Sequence, residues 1–328
     1  MDTKPRIVCL IKLLEKYTDD EHYLTTNQII SIMEQEYGLS VHRVTFKRDI
    51  QALKEMGYDI VEIRASQNKY FLANRLFELP ELKLVINAVE SSKFITQGKT
   101  EGLIQKIHGL ASMHQSEKLK RDHYIIETVK ADNEQIYYIV DKIGDAIDAD
   151  RQISFQYFDY DGMKNKILKN DGEVYTLSPY YLLWDSDNYY VLGYSEKREK
   201  MITFRVDRIA STPYILDKER HPLPEDFNVN DFRRRSFKMY EGNIENVELQ
   251  CDNSVMKIVV DKFGEDVFTK PFDSESFRMT AEVAISPIFF SWVFSLAGKI
   301  KILGPDNVRD QYRKLVAETY IQLIDDSE

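Results

Sequence analysis

The chain has 328 residues, 43% hydrophobic, 12% aromatic and 30% charged; this is a globular composition, and at about 100–200 residues per domain it predicts two or three domains. Thirteen Gly and nine Pro exclude collagen-like and Pro/Gly-rich disordered classes, and two cysteines, Cys9 and Cys251, exclude a disulfide scaffold. The net charge of −10 argues against a surface that binds nucleic acid everywhere but leaves room for a local reading element, because the surplus of acids lies mostly in residues 217–328.

The two cysteines fit a reducing, cytoplasmic setting, and the N-terminus has no apolar run ending in small residues, so no secretion signal is expected. The most apolar stretch, Ala284 to Ala297, is too short for a bilayer, which needs about 20 apolar residues. No membrane is expected as a partner.

Residues 5–17 place Ile7, Leu10, Ile11, Leu14 and Tyr17 at helical spacing. Thr25 stands three residues before Gln28, a capping-box spacing that predicts a second helix over about 27–36 with Ile29, Ile30 and Met33 inward. Gly38 then fits a left-handed helix end. Ser40 is expected to cap a third helix that stops at Gly57, with Val44, Ile50, Leu53 and Met56 inward. His42, Arg43, Thr45, Lys47 and Arg48 fall on its other side, in the first turns. Ile60 and Ile63, a polar turn, and Tyr70-Phe71-Leu72 predict a two-stranded wing. Helix, capped short helix, turn, basic third helix and wing form the order of a winged helix-turn-helix. The bland alternative is a small helical domain with a solvated basic face. On the DNA reading, Ser40, His42, Arg43, Thr45, Lys47, Arg48 and Lys69 are the contacting candidates. Arg43 and Arg48 would serve for guanine or phosphate, and Thr45 for a thymine methyl or phosphate. Asp49 is expected to make a salt bridge within the fold.

Residues 76–132 are helical in pattern, through Leu82, Val85, Ile86 and Val89, then Leu103, Ile104, Ile107 and Leu110. They predict a helical connector. A further helix is expected from Asn133 to Asp148, with Ile136, Ile139, Val140, Ile143 and Ile147. Short strands follow. Ile153, Phe155 and Tyr157 alternate with Ser154, Gln156 and Phe158; Asn170-Asp171-Gly172 signals a turn before a strand over 173–178. Leu182-Leu183-Trp184 and Tyr189 to Tyr194 frame a hairpin around Asp185-Ser186-Asp187-Asn188, and Met201 to Val206 closes the set. About five short strands suggest a small SH3- or Sm-like barrel.

Residues 217–243 read as a loop-like linker with a basic cluster, Arg233, Arg234, Arg235 and Lys238. Contact with phosphate, ligand or a second subunit stands beside a solvated hinge. From Asn246 the order is strand, helix, strand, strand, helix, strand, a ferredoxin-like pattern. A last amphipathic helix follows, with Val308, Tyr312, Leu315, Val316, Thr319, Tyr320 and Leu323. Phe289, Phe290, Trp292 and Val293 suit either core or a subunit interface.

The segment HRVTFKRDIQAL, with Arg43, Thr45, Arg48 and Asp49 at Arg-x-Thr-x-x-Arg-Asp spacing, resembles the DeoR-like winged helix-turn-helix. Residues 175–209, with Ser178-Pro179-Tyr180, Tyr189-Tyr190-Val191 and Phe204-Arg205-Val206-Asp207-Arg208-Ile209, resemble the WYL domain, although two of the three naming residues differ. The part from Val247 through Ser291-Trp292 to Ile302-Leu303-Gly304-Pro305 resembles the WCX extension. The resemblance implies a multidomain α+β chain. Its domains are a winged helix-turn-helix over 1–75, a connector over 76–132, a WYL barrel over 133–216, a linker over 217–244 and a WCX domain over 245–328. It also implies a bacterial transcription regulator, usually a homodimer on double-stranded operator DNA, that senses a ligand, with nucleotides or short nucleic acids implied in several branches.

Arginine forks suit phosphate and tyrosine faces suit bases. The candidate sensing residues are therefore Tyr157, Ser178, Tyr180, Tyr190, Arg205 and Arg208, for a small anionic or nucleic-acid ligand. Arg205 and Arg208 converge only if the chain turns after Val206. The competing reading pairs Arg205 with Asp207 and makes the tyrosines core. No G-x-S-x-G, Walker A, G-x-G-x-x-G or H-E-x-x-H occurs, and His22, His42, His108, His114, His123 and His221 have no ligand spacing. No enzyme activity, cofactor or metal is expected. The rival class is an interaction scaffold with a vestigial helix-turn-helix.

Overall fold

The first helix, α1 (Thr3–Tyr17), sets Leu10, Leu13 and Leu14 on one stripe and buries all three. It opens a computed structural model that describes residues 3–121, 130 and 135–325. The chain divides into two compact units, Met1–Glu134 and Gln135–Glu328.

In the first unit, β1 (Leu24–Thr25) leads into α2 (Thr26–Tyr37). The Thr25 side chain accepts from the Gln28 amide while the Gln28 side chain accepts from the Thr25 amide, so both orphan donors are satisfied. Gly38 ends the helix at φ +64°, where a side chain would be strained. Then come α3 (Arg43–Glu55), β2 (Ile60–Ile63) and β3 (Lys69–Leu72). The three strands pair antiparallel in the order β1-β3-β2. Thr18 donates to the Leu14 carbonyl and accepts from the Leu72 amide, which pins the end of α1 to β3.

Three helices follow: α4 (Leu79–Ser91), α5 (Gln97–His108) and α6 (Met113–Arg121). Leu82, Ile86, Ala111 and Leu119 form their core. Lys130 donates to the carbonyls of Val89, Glu90 and Ser92 at the end of α4, where a helix favours a cation. Buried Asp19 accepts from Ser112 Oγ at 2.5 Å and lies 2.7 Å from His22 Nδ1. Burial alone would raise this carboxyl; the Ser112 and His22 hydrogen bonds hold it below its usual value. His22 stacks on His114 of α6 at 3.8 Å.

The second unit opens with α7 (Ile136–Asp148), whose Ile136, Ile139, Ile143 and Ala146 are fully buried. It packs on the strands β4 (Arg151–Gln156) and β7 (Val174–Asp185). Between these strands stand the ribbon β5 (Phe158–Tyr160) and β6 (Lys166–Leu168). After them come β8 (Asn188–Ser195), β9 (Lys200–Arg205) and β10 (Tyr214–Glu219). The five-stranded sheet has the antiparallel order β10-β4-β7-β8-β9. An isolated bridge, Tyr157 to Ile209, ties the exit of β4 to the segment after β9.

The chain continues through α8 (Val229–Arg235), β11 (Asn243–Asp252), α9 (Met256–Phe263), β12 (Phe268–Pro271) and β13 (Ser276–Ile285). It ends with α10 (Pro287–Ser295), β14 (Ile300–Gly304) and α11 (Asp306–Asp325). The last sheet is antiparallel in the order β12-β13-β11-β14. Both units are thus helices joined to antiparallel sheets in a mixed α and β chain.

Several elements differ from the sequence reading. Ser40 does not cap α3: Val41 is buried in the core, the chain stays extended through it, and His42 takes the cap position without a side-chain hydrogen bond. Val44 and Met56 are 81% and 68% exposed rather than inward; Phe46 fills the core instead, edge-on to Tyr70 at 5.1 Å. Ile30 is half-buried, and Val85 and Leu110 are exposed. The expected strands over 173–178 and 182–184 merge into one, β7, which starts at Val174 and whose register on β8 shifts between Pro179 and Tyr181. A proline inside a sheet needs such an irregularity. Phe158 is buried although it alternates with inward Phe155, since the ladder breaks at Tyr157. The linker holds the end of β10 and the whole of α8. Phe289, Phe290 and Val293 are core, and Trp292 packs partly buried against them. The expectations at Asn133, His123 and the Leu323 side chain, and the connector over 122–129 and 131–132, lie outside the described residues.

Candidate nucleic-acid interface and sensing cluster

The outer face of α3 is built by what its inner face excludes. Phe46, Asp49, Ile50 and Leu53 point into the unit, so Arg43, Val44, Lys47 and Arg48 point out. Asp49 is an acid, yet it is 2% exposed and meets Arg6 in a bidentate pair, Nε at 2.6 Å and Nη2 at 2.9 Å. The expected internal salt bridge is therefore present, and it removes negative charge from the basic face. No side chain caps the start of α3, which leaves its first amides, and the positive end of the helix dipole, to an outside acceptor.

A groove of about 320 Å³ runs between this face, the start of α2 and the turn of the wing. Arg43, Val44 and Lys47 form one wall; Ser66, Gln67 and Asn68 form the other. Arg43 Nη2 donates to Asn27 Oδ1 at 2.8 Å, which fixes the guanidinium over the mouth of α2. Ser40, His42 and Arg48 are exposed and Thr45 is half-buried. Lys69 stands apart on β3, with its ammonium 3.9 Å from the centre of the Tyr23 ring. Sequence reasoning missed Asn27, Val44 and the wing-tip residues. The polar run Ser66-Gln67-Asn68 was visible as a turn, but nothing local says that it faces α3.

The second cluster sits where β9 ends. The chain does turn there, into a short 3-10 helix over Val206–Arg208, so Arg205 ends the strand and Arg208 ends the turn that follows it. Arg205 pairs with Asp207 through Nε and Nη2, at 3.1 and 2.8 Å, and Nη2 also donates to Asn188 at 2.6 Å. Arg208 Nη1 donates to Asp159 at 3.0 Å. Each guanidinium keeps a nitrogen without a protein acceptor among the described residues, and each side chain is about one-third exposed. Tyr157 accepts from the Arg205 amide, and burial pushes its phenol up to about 12. Tyr190 is buried opposite Arg205, and burial raises its phenol too.

Ser178 and Tyr180 do not join this cluster through any hydrogen bond among the described residues. Ser178 is 1% exposed and accepts from the His221 amide at 2.9 Å. Tyr180 donates to the His221 carbonyl at 2.5 Å, under the Arg220 guanidinium. Both hydroxyls therefore fasten the segment after β10 to β7. Of the basic linker cluster, Arg234 meets Asp266 at 2.8 Å and Arg235 meets Glu282 at 2.5 Å, so it serves the joint with the last sheet.

Among the described residues no three His, Cys, Asp or Glu side chains gather where a metal could be held, and no helix is long and apolar enough to cross a membrane.

No curated protein matches the chain. Among solved structures it is similar to the proteasome accessory factor B/C (PafBC) of Arthrobacter aurescens, with 17% identity and a TM-score of 0.29, over 94% of this chain and 45% of that one. It is also similar to a CRISPR Cas-related protein, with 14% identity and a TM-score of 0.37, over 76% of this chain and 72% of that one. The chain thus spans under half the length of the first. Likeness this remote says nothing of what the present chain binds. The segment that carries α7, the Tyr157–Arg205 contact and the turn at Arg208, residues 138–212, matches the family model of the WYL domain.

Proposed function

We propose that this chain is a transcription regulator that reads operator DNA through a DeoR-like winged helix-turn-helix over residues 1–75. Its α3 lies in the major groove and its wing lies on the flanking backbone. Two copies, joined through connector and C-terminal surfaces of the WCX type, address two half-sites a whole number of helical turns apart. A small anionic ligand, of the nucleotide or oligonucleotide class, binds at Arg205 and Arg208 in the WYL segment. It shifts DNA affinity only so far as it favours one arrangement of the dimer over the other.

One observation carries the DNA reading. The first turns of α3 expose Arg43, Val44, Lys47 and Arg48, while Asp49 is turned inward to Arg6. The exposed start of α3, residues 42–48, therefore carries basic and neutral side chains and no acid. The free guanidinium nitrogens beside Tyr157 and Tyr190 support the anionic ligand.

The test is binding of the full chain to a fragmented genomic pool, with the selected fragment titrated at several salt concentrations. The affinity is expected to fall steeply with salt, because phosphate contacts release counterions. Replacing both Arg43 and Arg48 by Ala should cost about 2–6 kcal/mol if each makes a bidentate base contact. Binding that ignores salt and both substitutions would point to an interaction scaffold instead.

A further inference from the structure

We infer that a cleft of about 370 Å³, between the start of β9, the linker around α8 and the edge of the last sheet, is a binding site for a small organic cation with an aromatic or alkyl body. It goes beyond the DNA and anion sites proposed above and shares no residue with either.

The cleft is amphipathic in a particular way. Its apolar lining comes from Met201 on β9, Phe227 and Phe232 on the linker, Tyr240, and Ile244 and Ala284 on the last sheet. Phe227 and Phe232 lie 5.9 Å apart at a tilt, and both line the cleft. Tyr240 and Ile244 line the cleft and are each more than half exposed. Apolar side chains gathered in a concavity, with a few polar groups, are the usual make-up of a small-molecule site.

The charges choose the ligand. Glu241 meets both Lys200, at 2.7 Å, and Arg198, at 3.9 Å, and Arg235 is taken by Glu282 at 2.5 Å. The two remaining acids of the lining, Asp226 and Asp231, have no ion-pair or side-chain hydrogen-bond partner among the described residues. Four acids, Asp226, Asp231, Glu241 and Glu282, thus stand against three cations, Arg198, Lys200 and Arg235, a surplus of one negative charge beside three aromatic rings. An ammonium gains from both, through attraction to the carboxylates and through the negative faces of the rings. A carboxylate or phosphate of the same size would meet repulsion. The wall at Gly242 is also tight: a Cβ there would lie 2.1 Å from the Ile285 carbonyl oxygen, so the backbone itself closes that side. Lys200 opens β9 and Arg205 closes it, so the cleft and the arginine cluster lie about 16 Å apart along the strand.

The experiment uses the full chain and 4-fluorophenethylammonium, followed by fluorine NMR, with 4-fluorophenylacetate as the anion of similar body. The ammonium should broaden on addition of protein and the acetate should not. The double variant Asp226→Asn/Asp231→Asn removes one exposed and one half-buried carboxylate, keeps their shape, and should weaken the ammonium about tenfold, the effect of about 1.4 kcal/mol. Arg205→Ala should leave it unchanged, which separates this cleft from the sensing cluster. No broadening up to about 10 mM ammonium, a range that spans ordinary weak ligands, would overturn the assignment. Equal broadening of the acetate, or undiminished binding by the double variant, would overturn it as well.

Discussion

Arg6 on the first helix and Asp49 on the third form a bidentate pair, at 2.6 and 2.9 Å, with less than a tenth of either side chain exposed. The pair reaches across 43 residues of sequence and decides which way α3 faces. It also explains why Asp49 can stand directly after Arg48 without weakening a basic surface. The hydrogen bond to Asp49 holds the Arg6 guanidinium charged, above its already high ordinary value.

Removing one partner leaves the other charge buried alone, a loss of about 3–5 kcal/mol. Asp49→Ala and Arg6→Ala should each lower the unfolding free energy of the N-terminal unit, read from urea titration, by that amount. The double variant Arg6→Met/Asp49→Leu should recover most of the loss, since apolar residues of similar volume often replace a buried pair without penalty. A double variant as unstable as the singles would mean that the pair has further partners.

Asn27 gives a subtler handle on the groove. It accepts from Arg43, so the guanidinium is held before DNA arrives. Asn27→Ala removes an exposed hydrogen bond and should change stability by less than about 0.5 kcal/mol. Affinity for the selected operator should fall a few-fold, about 1 kcal/mol, as Arg43 loses its preset orientation. Anisotropy titrations and melting curves on the same sample separate the two effects.

The contrast between Thr25 and Ser178 shows what the sequence could reveal. Thr25, Gln28 and Gly38 act within a few residues of themselves, so the capping box and the left-handed helix end were legible from spacing. The turn after Val206 entered only as the condition for Arg205 and Arg208 to converge; the chain does turn there, and the two guanidiniums meet different acids, Asp207 and Asp159. Ser178 and Tyr180 looked like ligand donors because their hydroxyls were unassigned; their partner, His221, lies more than 40 residues away. Val44 is apolar and so reads as core, but Phe46, Asp49, Ile50 and Leu53 lie at i, i+3, i+4 and i+7, a stripe that leaves Val44 on the opposite side of the helix. Asn27 reaches Arg43 by tertiary approach of two helices, which no local pattern encodes.

Tyr157 predicts an alkaline weakness of the second unit. Burial pushes its phenol up to about 12, against about 10 in the unfolded chain. Between those values the unfolded chain releases a proton that the folded chain retains, so the unfolded state is favoured as pH rises. The stability tied to Tyr157 is whole below pH 10 and declines by about 1.4 kcal/mol per unit above it. Tyr157→Phe should flatten the decline measured by urea unfolding between pH 10 and 11.5. It should also leave the Arg205 amide without its 3.3 Å acceptor, a small loss at pH 7. An unchanged slope would assign the alkaline weakness to the other buried phenols.

Gly193 places the strand that carries Tyr190 against the strand that carries Ser178. A Cβ on Gly193 would lie 2.5 Å from the Ser178 carbonyl oxygen and 2.6 Å from Leu177 Cγ, closer than any such contact survives. The first obstacle is backbone, which cannot rotate aside, so β7 must move. Gly193→Ala should therefore cost about 1–3 kcal/mol through overpacking. The displacement should also loosen the Ser178 contact with the His221 amide, and with it the segment after β10. Hydrogen exchange reads this directly: the His221 amide should lose protection in Gly193→Ala, while amides of the last sheet, such as those of β11, keep theirs. If the His221 amide exchanged no faster, Ser178 would be holding that segment only in company with Tyr180, and Tyr180→Phe would then be the variant that releases it.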